Sequence, residues 1–217
     1  MNRDSENLAR LLVHIQKIYT ETTNAWERLG IPKINLKNTG IDRVEYGNAL
    51  YNNILAYVDF LTTSMLALKV EEAQGCGTVR TRIKALNSIE EKIHAYTEKA
   101  KKEGNFPIIK CLNDLFGART VLEDELTTEQ IKTIAANALG EKKCKVLPRS
   151  VGSYKATHVY FHSSNANYDW ELQVWNAADE QTNLESHKEY KQRYTIWEKE
   201  HKEEGGTTNG EALHSIE

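Results

Sequence analysis

At 217 residues the chain is long enough to bury a full core as one domain with helical additions. Its 31 acidic and 28 basic residues nearly balance, with seven histidines besides, so no global basic excess argues for duplex DNA binding. No apolar run approaches the roughly eighteen residues that span a bilayer. The polar start, Met1-Asn2-Arg3-Asp4-Ser5-Glu6, does not read as a secretory signal. Cys76, Cys111 and Cys144 fit neither a disulfide framework nor a zinc site, which points to a reducing, cytoplasmic setting.

Leu8, Leu11, Leu12, Ile15, Ile18 and Tyr19 recur at helical steps and predict a helix over 5–29, closed by Gly30-Ile31-Pro32. After a loop to Gly40, the stripe Leu50, Ile54, Tyr57, Val58, Leu61, Met65 and Leu68 predicts a long helix over about 43–73. Gly75-Cys76-Gly77 breaks it. A third helix spans about 85–102 and closes at Gly104-Asn105-Phe106-Pro107, and 114–122 is strand-like. Thr127-Thr128-Glu129-Gln130 matches a capping box opening a helix to about Leu139, which Gly140 ends. Lys145-Val146-Leu147 suggests a short strand with a turn over 148–152. Residues 154–163 and 168–175 alternate as strands around the polar loop Ser164-Asn165-Ala166-Asn167 and predict a hairpin. A last helix over about 180–203 carries Leu184, His187, Tyr190, Tyr194 and Trp197, before a Gly/Thr-rich tail that reads as disordered. The class is α+β, a mixed sheet of about five strands flanked by helices. The expected division is an N-terminal helical extension at 1–40, a main domain at 41–203 and the tail at 204–217.

Four short blocks carry the chemistry. If 83–93 is helical, Lys84, Ser88 and Lys92 fall at i, i+4 and i+8, roughly 145° away from Ile83, Leu86, Ile89 and Ile93. Two cations and a hydroxyl over about 12 Å of helix suit a triphosphate lying along it. A solvated basic face is the commoner origin of such a row taken alone. Arg82 precedes the regular turns, where its planar fork could stack on a base or bind a phosphate.

Asp114 stands at a strand entrance, a place for a Mg²⁺ ligand, and Gly117 permits close backbone approach or a bulge. In a regular strand Asp114 and Arg119 would point to opposite faces, so either Gly117 shifts the register or the two serve different surroundings. In the hairpin, Tyr154, Ala156, His158, Tyr160 and His162 share one face. On the second strand Glu171, Gln173 and Trp175 share a face opposite Trp170, Leu172 and Val174. A mid-strand acid beside large apolar residues needs a partner, whether metal, cation or bound hydroxyl, unless that sheet face meets solvent. His158 and His162 lie too far apart along a strand to chelate one ion. Lys142, Lys143, Lys145, Arg149 and Lys155 form a local basic cluster.

Taken together, the blocks resemble the synthetase domain of the RelA/SpoT family. Arg82-Ile83-Lys84 with Ser88 and Lys92 is similar to the family's first motif, and Asp114-Leu115-Phe116-Gly117-Ala118-Arg119 to its D-x-x-G-x-R. Ser153-Tyr154-Lys155-Ala156-Thr157-His158 resembles the G-Y-K/R-x-x-H strand, and Glu171-Leu172-Gln173 the E-x-Q strand. Glu185-Ser186-His187 with Tyr190-Lys191 resembles the closing E-H and Y-K helix, so the likeness covers about 45–195. It implies a nucleotidyltransferase-like synthetase fold and a pyrophosphokinase, in which a guanine nucleotide's ribose 3′-hydroxyl attacks the β-phosphorus of ATP and releases AMP. It assigns Arg82, Lys84, Ser88, Lys92 and Arg119 to ATP, and Asp114 and Glu171 to Mg²⁺, with Glu171 also the base. Tyr154 is assigned to the acceptor base, and Lys155, His158 and Gln173 to positioning the acceptor.

Two positions depart from the pattern: Ser153 replaces glycine, and Trp175 stands where arginine is usual. The missing cation leaves the acceptor open. Small members of the family also include toxins that pyrophosphorylate the 3′ end of tRNA or make adenosine alarmones, and a toxin would imply an antitoxin partner. An inactive nucleotide-binding module is a third reading, against which the intact set Lys92, Asp114, Tyr154 and Glu171 argues. The long second helix and the aromatic last helix are candidate packing surfaces for a homo-oligomer.

Overall fold

The computed structural model describes residues 2–64, 69–70, 78–140 and 143–186. Helix α1 (Arg3–Arg28) buries the stripe from Leu8 to Tyr19, and starts two residues early because the Asn2 side chain accepts the Ser5 N–H at 2.9 Å. The second predicted helix is shorter at its start. Residues Ile41–Arg43 form one 3₁₀ turn, and α2 (Ala49–Thr63) begins only after Asn48, whose side chain accepts the Tyr51 N–H. Met65, Leu68, the predicted break at 75–77, the tail and the last helix beyond 186 lie outside the described residues. Residues 180–186 are helical.

Strand β1 (Val79–Ile83) was not expected, although Val-Arg-Thr-Arg-Ile alternates β-branched and basic residues as an edge strand does. Helix α3 (Leu86–Glu103) and the short α4 (Ile108–Cys111) follow, then β2 (Phe116–Leu122). Helix α5 (Thr128–Leu139) carries the expected capping box, with Thr127 and Gln130 each satisfying the other's backbone N–H. Strand β3 (Cys144–Val151) is longer than predicted, and runs straight through Pro148. The reason is its position: β3 is a sheet edge, where a missing N–H need not interrupt a ladder. The turn is therefore confined to Gly152-Ser153, with Gly152 at φ +60°. Strands β4 (Tyr154–Phe161) and β5 (Trp170–Asn176) form the expected hairpin.

The sheet order is β1-β2-β5-β4-β3, with β2 and β5 parallel and every other pair antiparallel. Alternation divides it into two faces. Leu172, Val174, Val159, Phe161 and Trp170 point into the core, where Tyr19 of α1 meets Trp170 edge-on at 5.2 Å. The opposite face aligns Arg82, Gly117, Glu171, Tyr160 and Lys145 across all five strands. The adjacent row is Arg80, Arg119, Gln173, His158 and Leu147.

Candidate functional site

Every strand contributes to that second face, and its polar residues gather into two neighbouring centres. The first forms around Asp114, which lies in the turn between α4 and β2 rather than on the strand. The parity conflict with Arg119 thus dissolves: only Arg119 is bound by the strand's alternation. No bulge is involved, because the ladder with β1 runs unbroken through Gly117 and the ladder with β5 begins there and continues without a break. Arg82 lies across that glycine, its Cγ and Nε each 3.6 Å from where a β-carbon would sit.

Lys84 is likewise not on the helix. Pairing of β1 with β2 holds the backbone extended to Ile83, and Ala85 caps α3, so Lys84 occupies the two-residue link. The expected ladder of Lys84, Ser88 and Lys92 on one helix is replaced by convergence from two elements. A backbone bond from Lys84 N to Leu115 O, 2.9 Å long, fastens the link to the Asp114 turn. Lys84 Nζ then donates to Asp114 Oδ2 at 2.8 Å and Lys92 Nζ to Oδ1 at 2.9 Å, with Arg82 3.9 Å from Oδ2. Ser88 is half-buried in the first turn of α3. Of the apolar side expected on this helix, Ile89 and Ile93 are buried; Leu86 is 45% exposed and Ile83 belongs to the strand.

Burial alone would push the Asp114 carboxyl up, but Lys92 and then Lys84 outweigh it and hold it well below the usual carboxylate range. Lys84 is pulled down from the ordinary lysine value, first by burial and then by Lys92 and Arg82, which Asp114 only partly offsets. The asymmetry is stoichiometric: one carboxylate serves three cations. It is over-compensated, they are under-compensated, and the corner suits a further anion.

The second centre is Glu171, 6% exposed in mid-sheet. His158 Nδ1 lies 2.8 Å from Glu171 Oε1, and Gln173 Nε2 donates to Oε2 at 2.8 Å. A carboxylate only accepts, so His158 carries its proton on Nδ1 and its Nε2 accepts from the Tyr154 hydroxyl at 2.9 Å. Trp175 Nε1 donates to the same hydroxyl at 3.2 Å. Tyr160, which parity places beside His158, reaches Nδ1 at 3.2 Å and accepts from Arg149 at 3.5 Å. Burial raises Glu171, but the His158 hydrogen bond, joined by that of Gln173, holds its carboxyl below the ordinary value; the charge of Asp114 pushes the other way. Arg82 links the two centres, 3.9 Å from Asp114 and paired in register with Gly117, which stands beside Glu171 in the sheet. Burial pushes the Tyr154 phenol up to about 12.

Arg119 bridges the centres. Its Nε and Nη2 donate to Gln173 Oε1 at 3.4 and 3.3 Å, and its guanidinium carbon stands 3.6 Å from the Trp175 ring centroid. Lys155 is not brought in: strand parity turns it to the other face, where its side chain is 67% exposed and 3.9 Å from Asp179. Its backbone is clamped instead, N–H and C=O each 2.8 Å from the fully buried Asn183 amide. Nothing local in the sequence marks Asn183. Lys145 and Arg149 lie on the site face, Lys143 is exposed, and Lys142 is outside the described residues. His162 sits apart, 2.8 Å from Asp169.

Among the described residues no group of three or more His, Cys, Asp or Glu could hold a metal. Asp114 and Glu171 are carboxylates, which suit a hard cation and not zinc, and both are engaged here, Asp114 by Lys84 and Lys92 and Glu171 by His158 and Gln173.

The architecture is α+β, a five-stranded mixed sheet flanked by helices, with two carboxylate centres on one face. No family model and no curated protein matches the chain. Among solved structures it is similar to small alarmone synthetase 2 from Bacillus subtilis, at TM-score 0.37 and 14% identity over 68% of this chain and 83% of that one. It is also similar to small alarmone synthetase 1 of the same organism, bound to AMPCPP, at TM-score 0.32 and 16% identity over 68% and 82%. Superposition this loose carries no functional argument, so function has to be reasoned from the residues.

Proposed function

We propose that this chain is a pyrophosphotransferase that moves the β,γ-pyrophosphate of ATP to the ribose 3′-hydroxyl of GDP or GTP. The observation that carries the reading is the pairing of an anion-hungry cation corner with a second buried carboxylate, Glu171, which lies two strands across the sheet in the same row as Arg82. Pyrophosphoryl transfer needs little else, because it proceeds by positioning and by neutralising charge on the transferred group.

In this reading Lys84, Lys92, Arg82, Ser88 and Arg119 bind the donor, with the triphosphate drawing the two lysines from Asp114. Asp114 and Glu171 would hold Mg²⁺, which when bound neutralises phosphate charge. Glu171 takes the proton of the 3′-hydroxyl as the oxygen–phosphorus bond forms. The bond between the α,β-bridging oxygen and the β-phosphorus breaks, and AMP leaves with that oxygen. His158 and Gln173 hold the Glu171 carboxylate in orientation, and Tyr154 is assigned to the acceptor base.

A second acceptor, the 3′ end of tRNA, is favoured by Lys145 and Arg149 on the site face at the exposed sheet edge, where a phosphate backbone could run. Incubation with labelled ATP and Mg²⁺ plus GDP, GTP, ATP or deacylated tRNA decides between them. Label on GDP or GTP supports the first reading, label on tRNA the second, and label on none leaves only a nucleotide-binding module.

A further inference from the structure

The Trp175 indole is fully buried and touches both halves of the site. One face of its ring lies against the Arg119 guanidinium, 3.6 Å from centroid to central carbon. Its only polar atom donates to Tyr154, 3.2 Å away, with the two rings crossing edge to face. From there the bonds run on to His158 Nε2 and from Nδ1 to Glu171.

The directions are consistent along the whole string. Indole N–H can only donate and carboxylate can only accept, so with a neutral imidazole the Tyr154 hydrogen points to His158 and the imidazole proton to Glu171. Arg119 closes the loop, since it also donates to Gln173, which donates to the other oxygen of Glu171.

We propose that Trp175 is a positioning residue that locks Arg119 to the Tyr154–His158–Glu171 string, so that donor-side cation and acceptor-side carboxylate are preorganised as one unit. It touches no reacting atom; it acts through the ring it offers to Arg119 and the proton it gives Tyr154. This inference rests on the reading above for its kinetic consequences, but not for its structural ones.

Two variants separate the contacts. Trp175→Phe keeps an aromatic face for Arg119 and removes the N–H; Trp175→Leu removes both. In the wild type, ring current from the indole should shift the Arg119 side-chain protons upfield, and ¹⁵N-histidine spectra at one fixed neutral pH should show the His158 Nδ1–H tautomer. Trp175→Phe is expected to retain most of the upfield shift while the His158 tautomer becomes mixed. Trp175→Leu is expected to lose both. In turnover, Trp175→Phe lowers kcat with little change in the KM for ATP. Trp175→Leu also raises that KM by about 5- to 30-fold, the span of a cation–π contact between its exposed and desolvated limits. Thermal unfolding of both variants identifies any simple loss of fold.

The proposal is overturned if the folded Leu variant keeps the wild-type Arg119 shifts and His158 tautomer, or if both variants lose kcat equally with KM unmoved. A wild-type protein that labels no acceptor sinks the pyrophosphotransferase reading instead, and the two spectral readouts still test Trp175.

Discussion

Lys84 Nζ lies 2.8 Å from Asp114 Oδ2, across thirty residues of chain and from outside the helix that carries Lys92. One lysine is fixed by a strand that has just ended and the other by the second turn of α3, so the carboxylate staples β1, α3 and the β2 entrance together.

Removing that staple should cost both stability and activity. Asp114→Asn leaves Lys84 and Lys92 facing each other half-buried, and unfolding in urea should show a loss of about 3–5 kcal/mol. Transfer to any acceptor should disappear. A variant with wild-type stability and turnover would remove Asp114 from its place at the centre of the corner.

The same residue sets a response to acid. Asp114 and Glu171 both sit below their ordinary values, Asp114 held by the lysines and Glu171 by His158, against burial. Their contribution is fully present above the unfolded carboxylate values, about pH 4, and is lost as pH falls through the lower folded values. Stability measured from pH 7 down to pH 2 should therefore fall more steeply in the wild type than in Asp114→Asn, with the two curves converging.

Asp169 should behave with the opposite sign. Burial raises it from 3.8 to about 6, with the His162 bond offsetting part of the effect. Its contribution is complete below pH 3.8 and fades as pH climbs through about 6. Chemical denaturation across that range should show Asp169→Asn gaining on the wild type as pH rises. A constant difference would place the ionisation elsewhere.

The lysines of the corner should count in binding. Lys92→Met removes a charge-assisted contact to phosphate, and calorimetry with Mg·ATP should show affinity falling on the order of ten- to a hundredfold. Glu171→Gln should instead lower kcat by about 10²–10⁴, with a smaller loss of Mg·ATP affinity than Lys92→Met shows. Exchange of the two phenotypes would reverse the roles assigned to the acids and cations.

Asn183 offers a test away from the charges. Asn183→Ala leaves the Lys155 N–H and C=O without their partner at the start of β4, which should cost about 1–3 kcal/mol in thermal unfolding.

Much of this was legible from one sequence. The hairpin and its faces follow from alternation, because a strand's period of two records which side chains meet the core and which do not. So do the helical stripe of α1 and the capping box at Thr127, both set by contacts a few residues apart. Strand β1 could have been found in Val-Arg-Thr-Arg-Ile. Pro148 misled because its cost depends on whether its strand is central or at an edge, which is not a local property.

Amino-acid order alone determined the chemical inventory, namely which acids, cations and aromatic rings this protein has and how they alternate. Only tertiary structure decided that Gly117 lies opposite both Arg82 and Glu171, that Lys84 leaves the helix, and that Trp175 backs Arg119. Short-range periodicity reports the burial of each residue, whereas strand order and register are fixed by the packing of the whole sheet, and the meeting of distant charges is written only there.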